Sequence, residues 1–221
     1  MFRPSLVLPL LLTVLASGAS SAQADESQLW LSSGVALRMP ADLDLVIEPQ
    51  LRLDHDMSEL ATVMVDNELR FSPLKALRFA VGYRAEYERK DSDEYVVRHR
   101  LHIDVSPRLN LGPVRLAYRL RLQEQLRPGS KDGERTKLRN RLGVSYQRLG
   151  RWTPTIEGEL FHYLGDLDEC SLDLIRLTAS LSYDFTRNHT AESFYRMQIP
   201  QNDQDPLEHI LGLAYRLNLH L

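Results

Sequence analysis

The chain has 221 residues, a formal net charge of −3 and 43% hydrophobic residues, a size that suits one domain. The near-neutral balance gives no case for nucleic acid, and the single cysteine, Cys170, excludes an internal disulfide and a cysteine metal cluster. Mean hydropathy is −0.32, and past the leader no run approaches the roughly 18 apolar residues a spanning helix needs.

Met1–Ala24 reads as a secretory signal. Arg3 is the basic start, Leu6 to Leu15 the apolar core, and Ala22-Gln23-Ala24 an A-x-A cleavage site. No cysteine follows that site, so lipoprotein processing is excluded. Gln28 to Met39 then alternates, with Leu29, Leu31, Val35, Leu37 and Met39 on one face. Later segments repeat the plan. Leu43 to Leu53 sets Leu45, Ile47 and Leu51 against Asp44, Glu48 and Arg52. Val63 to Phe71 sets Val65 and Leu69 against Asp66, Glu68 and Arg70. Phe79 to Tyr87 alternates with Arg78, Arg84, Glu86 and Glu88, and Tyr95 to Val105 with Arg98, Arg100, His102 and Asp104. The parity then flips: Val114 to Leu122 faces Arg115, Arg119 and Arg121, and Leu138 to Tyr146 faces Arg139 and Arg141. The last third is weaker, with Thr155–Tyr163 carrying Glu157 and Glu159, then Ile175–Tyr183 and Ala191–Gln198. The chain closes on Leu211, Leu213, Tyr215, Leu217, Leu219 and Leu221, interleaved with small or polar residues.

Period-two alternation in segments of about 9–11 residues predicts bilayer-crossing strands with one apolar and one polar face. A soluble β-sandwich also alternates, but its wet face is rich in Lys, Thr and Ser. Here that face is stacked with Arg and Glu, which suits a confined interior where guanidinium and carboxylate pair in fixed geometry. The expected fold is therefore all-β, a transmembrane antiparallel barrel over residues 25–221. An up-and-down antiparallel barrel closes with an even number of strands. The expectation is about ten, with residues 25–41 packed inside or beside the wall, or twelve if a short strand is hidden.

Short connections with Pro or Gly (Ser72–Leu77, Ser106–Pro113, Gln147–Pro154, Asp184–Thr190) are expected as periplasmic turns. The longer, mostly acidic ones (Asp54–Leu60, Arg89–Glu94, Arg127–Glu134, Leu164–Asp173, Ile199–Glu208) are expected as outer loops. Phe71, Tyr87, Tyr95, Tyr146, Phe161, Tyr163 and Tyr183 fall near strand ends, as an aromatic girdle requires.

The stretches GYRAEYE (Gly82 to Glu88), RHRLHID (Arg98 to Asp104), LRNRLG (Leu138 to Gly143), FYRMQ (Phe194 to Gln198) and HILGLAY (His209 to Tyr215) follow one another along the chain. In that order they resemble a Gram-negative outer-membrane β-barrel family of unknown function, over nearly all of Gln28 to Leu221. The resemblance implies a barrel and an outer-membrane location. It supplies no substrate, cofactor or catalytic residue. The expected partners are outer-membrane lipid and lipopolysaccharide, the barrel-assembly machinery through the C-terminal strand, and a possible second copy. Many such barrels end in Phe, whereas this chain ends in Leu221.

Arg98, Arg100, Arg119, Arg121, Arg139 and Arg141 lie on the polar faces of three consecutive segments, with Glu68, Glu86, Glu157 and Glu159 opposing them. An arginine wall attracts carboxylates and phosphates. These charges serve either as a structural filling of paired side chains or as a path or site for small anions. A second class is a lipid- or peptide-modifying hydrolase at the rim, built on a Ser–His pair. His99, His102, His162 and His209 are available, and His162, near Asp166 and Asp168, is the candidate. No serine pairs with any of them by strand position. Asn67, His99 and Asn140 fall mid-strand on the apolar face. A β-bulge turning each inward is the expectation, and a protein contact the alternative. The loop acids Asp91, Asp93, Asp166, Asp168, Glu169, Asp203 and Asp205 are expected to be solvated, with bridging of lipopolysaccharide phosphates by divalent cations as the alternative.

Overall fold

The computed structural model describes residues 26–89, 94–126, 135–165, 170–202 and 205–221. Among these residues there is no helix, and eleven strands follow one another: β1 Glu26–Met39, β2 Leu43–Asp54, β3 Glu59–Leu74, β4 Leu77–Arg89, β5 Tyr95–Leu111, β6 Val114–Leu126, β7 Arg135–Tyr146, β8 Trp152–Leu164, β9 Cys170–Asp184, β10 His189–Pro200 and β11 Glu208–His220. They form one closed barrel in which each strand pairs with the next and β1 pairs with β11. The signal predicted over Met1–Ala24 lies outside the described residues, as do Asp91, Asp93, Asp166, Asp168, Glu169 and Asp203.

The expected count of about ten is close, and neither ten nor twelve is correct. Gln28–Met39 is not packed inside or beside the wall. It is part of β1, a full member of the wall. The even-number argument assumed that every pair is antiparallel. In an up-and-down meander strand direction alternates, so an odd count must close on one parallel pair. That pair is β1 with β11, in register from Glu26 opposite Glu208 to Arg38 opposite His220. The other ten pairs are antiparallel.

Strand alternation sends successive side chains to opposite faces, and this barrel is apolar outside and charged inside. Val81, Ile103, Leu142, Ile156 and Leu213 are each more than half exposed. The buried set holds Thr62, Glu86, His102, Asp104, Arg121, Gln123, Gln125, Arg139, Glu159, Thr178 and Gln198, against only Trp30, Val46, Met64, Ala80, Phe161 and Ile210 among apolar residues. A water-soluble domain buries its apolar face instead. Two glycines let interior rings lie flat on the wall. A Cβ on Gly82 would collide with the His102 imidazole, and one on Gly212 with the Phe194 ring.

The short turns gather at one end of the barrel and the longer connections at the other. At the short-turn end Trp152, Tyr183 and Phe185 pack together, with ring centroids 4.5 and 4.9 Å apart. At the other end Tyr87 stacks on Tyr95 at 5.0 Å. Phe161 departs from the girdle expected of it, because it points inward and is buried.

Asn67, His99 and Asn140 are not turned inward by bulges. The register runs unbroken through all three, and its shifts fall elsewhere, at Arg52/Leu53, Phe71/Leu74 and Phe161/His162. Two of the three are instead satisfied on the outer face by a tyrosine on the neighbouring strand. Tyr118 Oη donates to Asn140 Oδ1 at 2.6 Å, and Tyr83 Oη lies 2.7 Å from His99 Nδ1. Tyr195 with His209 (2.6 Å) and Tyr215 with His189 repeat the arrangement. In every case the polar residue lies two positions before the residue directly opposite the tyrosine, a diagonal that long side chains span across a twisted pair. Asn67 lies directly opposite Tyr83.

Candidate anion site in the barrel interior

All six arginines singled out from the sequence point inward and meet carboxylates. Arg121 donates to Asp104 (2.7 and 2.6 Å) and to Glu68 (2.7 Å). Arg119 reaches Glu159 at 2.7 Å and Arg139 reaches it at 2.9 Å. Arg141 meets Glu157 at 3.3 Å, and Arg100 meets Glu86 at 3.4 Å. Arg98 pairs with Glu88 rather than with any of the four glutamates expected to oppose the ladder. These are neighbours across the strand ladders for the most part, since period-two strands in register place charges side by side.

The pairing is uneven. Glu159 accepts from three guanidiniums, those of Arg119, Arg139 and Arg176. One carboxylate therefore answers three positive charges in a buried position. Arg52 donates to Gln50 and Arg196 to Thr178. Among the described residues neither has a carboxylate oxygen within 4.0 Å. Both lie over the buried ring of Trp30, with the guanidinium carbons 3.7 and 4.9 Å from its centroid. Arg139 and Arg176 lie over Phe161 at 4.3 and 4.5 Å, and Arg196 lies 4.7 Å from Phe194. A ring face attracts a cation without neutralising it. It fixes the guanidinium and leaves its N–H fork available.

These groups surround a cavity of about 450 Å³. Twelve basic side chains line it, including Arg52, Arg100, Arg119, Arg121, Arg139 and Arg196, against five acidic ones, Glu48, Asp66, Glu68, Glu159 and Glu192. Three buried donors on its wall, Arg100 Nε, Arg119 Nε and Gln125 Nε2, have no acceptor among the described residues. Two smaller cavities, of about 190 and 150 Å³, follow toward the short-turn end. Arg70, Arg119 and Arg141 each border more than one of the three. The interior is thus divided by paired side chains.

Asp66, Glu68 and His102 bring ligand-type atoms within 4.8 Å of one another. Arg84 binds Asp66, while Arg70 and Arg121 bind Glu68. Guanidiniums fill the positions a cation would need. The histidines do not assemble a serine pair either. His99, His102 and His209 bond Tyr83, Glu68 and Tyr195. His162 Nδ1 is buried without a hydrogen-bond partner, and its proposed orienting acids Asp166 and Asp168 lie outside the described residues.

A family description, protein of unknown function (DUF2490), matches residues 27–208, from β1 to the start of β11. The chain belongs to that family. No curated protein matches it. For the DUF2490 barrel the candidate site therefore rests on its own geometry. Sequence reasoning missed its aromatic half. Trp30, Phe161 and Phe194 sit on inward parity beside Arg52, Arg139 and Arg196, a signal that a strand-by-strand count of aromatics among polar-face residues would have caught.

Proposed function

We propose that this DUF2490 barrel resides in the bacterial outer membrane and holds small anions in its interior. The observation that carries the reading is the reversal of the two faces. A continuous outer band of exposed Val, Leu, Ile and Tyr surrounds a buried array of Arg, Glu, Asp and Gln. Contiguous apolar surface of that extent marks a membrane or protein contact. A closed barrel is also the β-form that leaves no unpaired backbone edge in lipid. The predicted leader, the short turns at one end and the rim aromatics agree with export and insertion from the periplasm.

Within that setting the interior favours binding over free passage. The six-arginine ladder pairs with acids, and paired side chains divide the space into separate cavities. The largest of them carries the excess of basic groups. Fractionation of cells producing the tagged protein tests the placement: it should sediment with outer membranes and require detergent for release. A protein recovered in the soluble fraction would end this reading. Planar-bilayer recording tests the interior, with no stable open current expected. A steady ohmic, cation-selective current would reverse it.

A further inference from the structure

We propose that the 450 Å³ cavity is a site for a polyvalent oxyanion, a small molecule carrying several phosphate or carboxylate groups, gripped by Arg52 and Arg196 over Trp30. This deepens the reading of the interior and rests on its basic lining rather than on membrane placement. Refusal to bind would therefore leave the placement standing, and binding by a soluble protein would sink the placement alone.

The argument starts from charge. Twelve basic groups and five acidic ones line this cavity; Asp104, Glu86, Glu157 and Asp173 pair with Arg121, Arg100, Arg141 and Lys137 from beside it, which still leaves the bases in excess in a confined space. Chloride would answer the sign but not the geometry. A guanidinium presents parallel N–H donors spaced for the two oxygens of a carboxylate or phosphate. Arg52 and Arg196 are held by an aromatic face and by neutral oxygens from Gln50 and Thr178, with no carboxylate in contact among the described residues. Their remaining N–H groups are free to close on a ligand. Arg100 Nε, Arg119 Nε and Gln125 Nε2 add three buried donors on the same wall without acceptors among the described residues. Donors outnumber acceptors among the unmet groups on this wall, where Asp66 Oδ1 is the one unmet acceptor beside three unmet donors among the described residues, so the complement is rich in acceptors. The volume falls within the range of about 300–1,000 Å³ usual for small-molecule sites, well above that of a single chloride ion. A metal cation is the wrong partner for a wall of this sign.

Trp30 makes the test direct. The chain has two tryptophans, and Trp152 lies at the short-turn rim beside Tyr183, away from the cavity. In detergent micelles the Trp152→Phe protein reports from Trp30 alone. It is titrated with pyrophosphate, with citrate and with sodium chloride, all at one ionic strength. The expected result is a saturable change in Trp30 emission with pyrophosphate or citrate and none with chloride. Which of the two binds tighter assigns the phosphate or the carboxylate class. Arg52→Gln and Arg196→Gln should each weaken that binding about tenfold or more, as loss of a charged hydrogen bond does. Equal responses to all three salts, or affinities untouched by both substitutions, would overturn the proposal. Should a variant fail to fold, the unsubstituted protein decides the matter: its urea midpoint should rise in pyrophosphate or citrate above that in chloride, and identical midpoints count against the site.

Discussion

Removal of the Glu159 carboxylate should be the most damaging single change in the interior. The side chain is only 4% exposed and accepts from Arg119, Arg139 and Arg176. Glu159→Gln keeps its volume and one oxygen but leaves three buried guanidiniums with no negative charge among them. Breaking a buried ion pair costs about 3–5 kcal/mol, because the surviving charge stays buried. Three survivors repel one another as well, while water in the cavity screens part of that. About 3–4 kcal/mol is therefore expected. Glu157 is the internal control. Its side chain is 24% exposed and, among the described residues, pairs with Arg141 alone, at 3.3 Å, so Glu157→Gln should cost less than about 1 kcal/mol. The assay is reversible urea unfolding in lipid vesicles, followed by tryptophan emission. With a slope of about 2–3 kcal/mol per molar urea, the Glu159→Gln midpoint should fall by about 1–2 M and that of Glu157→Gln by a few tenths. Equal shifts, or a larger one at Glu157, would refute the claim that Glu159 carries a threefold charge load.

Other outcomes follow from the outer face and the rim. Ile103, 55% exposed at mid-strand, should tolerate arginine within about 0.5 kcal/mol if it meets water and lose about 2–4 kcal/mol if it meets lipid; unfolding of Ile103→Arg in vesicles is expected to show the larger loss. Tyr118→Phe strands the Asn140 amide on the apolar band and should cost about 1–2 kcal/mol. The double change Tyr118→Phe with Asn140→Leu should recover most of that, since removing both partners avoids the unmet group; a double mutant as poor as the single would contradict the pairing. At the β2–β3 turn, His55 is held above its ordinary pKa by its hydrogen bond to Asp54 and then by that carboxylate's charge. A raised folded value means the contact's contribution is full below the unfolded value of about 6.5 and fades as pH rises through the folded one. The His55 ring resonances should titrate at higher pH than in Asp54→Asn, and coincident curves would remove the effect.

Much of the wall was legible in the chain because a strand has a short, strict period. Whether Arg121 or Leu122 turns inward needs only parity, and parity survives any fold in which one face is buried. The pairs were harder. Arg98 meets Glu88 because β4 and β5 bring Glu88 opposite Val96 and Glu86 opposite Arg98, and side-chain reach along the strand then decides between the two carboxylates. Trp30 with Arg52, Arg176 and Arg196 joins strands from both ends of the chain, so no local window contains the cluster. Asn67, His99 and Asn140 were misread as bulges because each was judged alone, whereas for His99 and Asn140 a tyrosine on the next strand was the answer. The strand count came within one, and the difference is topological: alternation shows that a segment is a strand but carries nothing about the direction of the neighbour that closes the ring.

That single same-direction join has a consequence for sidedness. With an odd tally of crossings, Glu26 enters at the rim of the longer loops and His220 leaves at the rim of the tight turns. In the outer-membrane placement proposed above, peptide labels just before β1 and just after β11 would therefore face different compartments, and a protease added to intact cells would reach only one of them. An even-stranded cylinder would expose or hide both together.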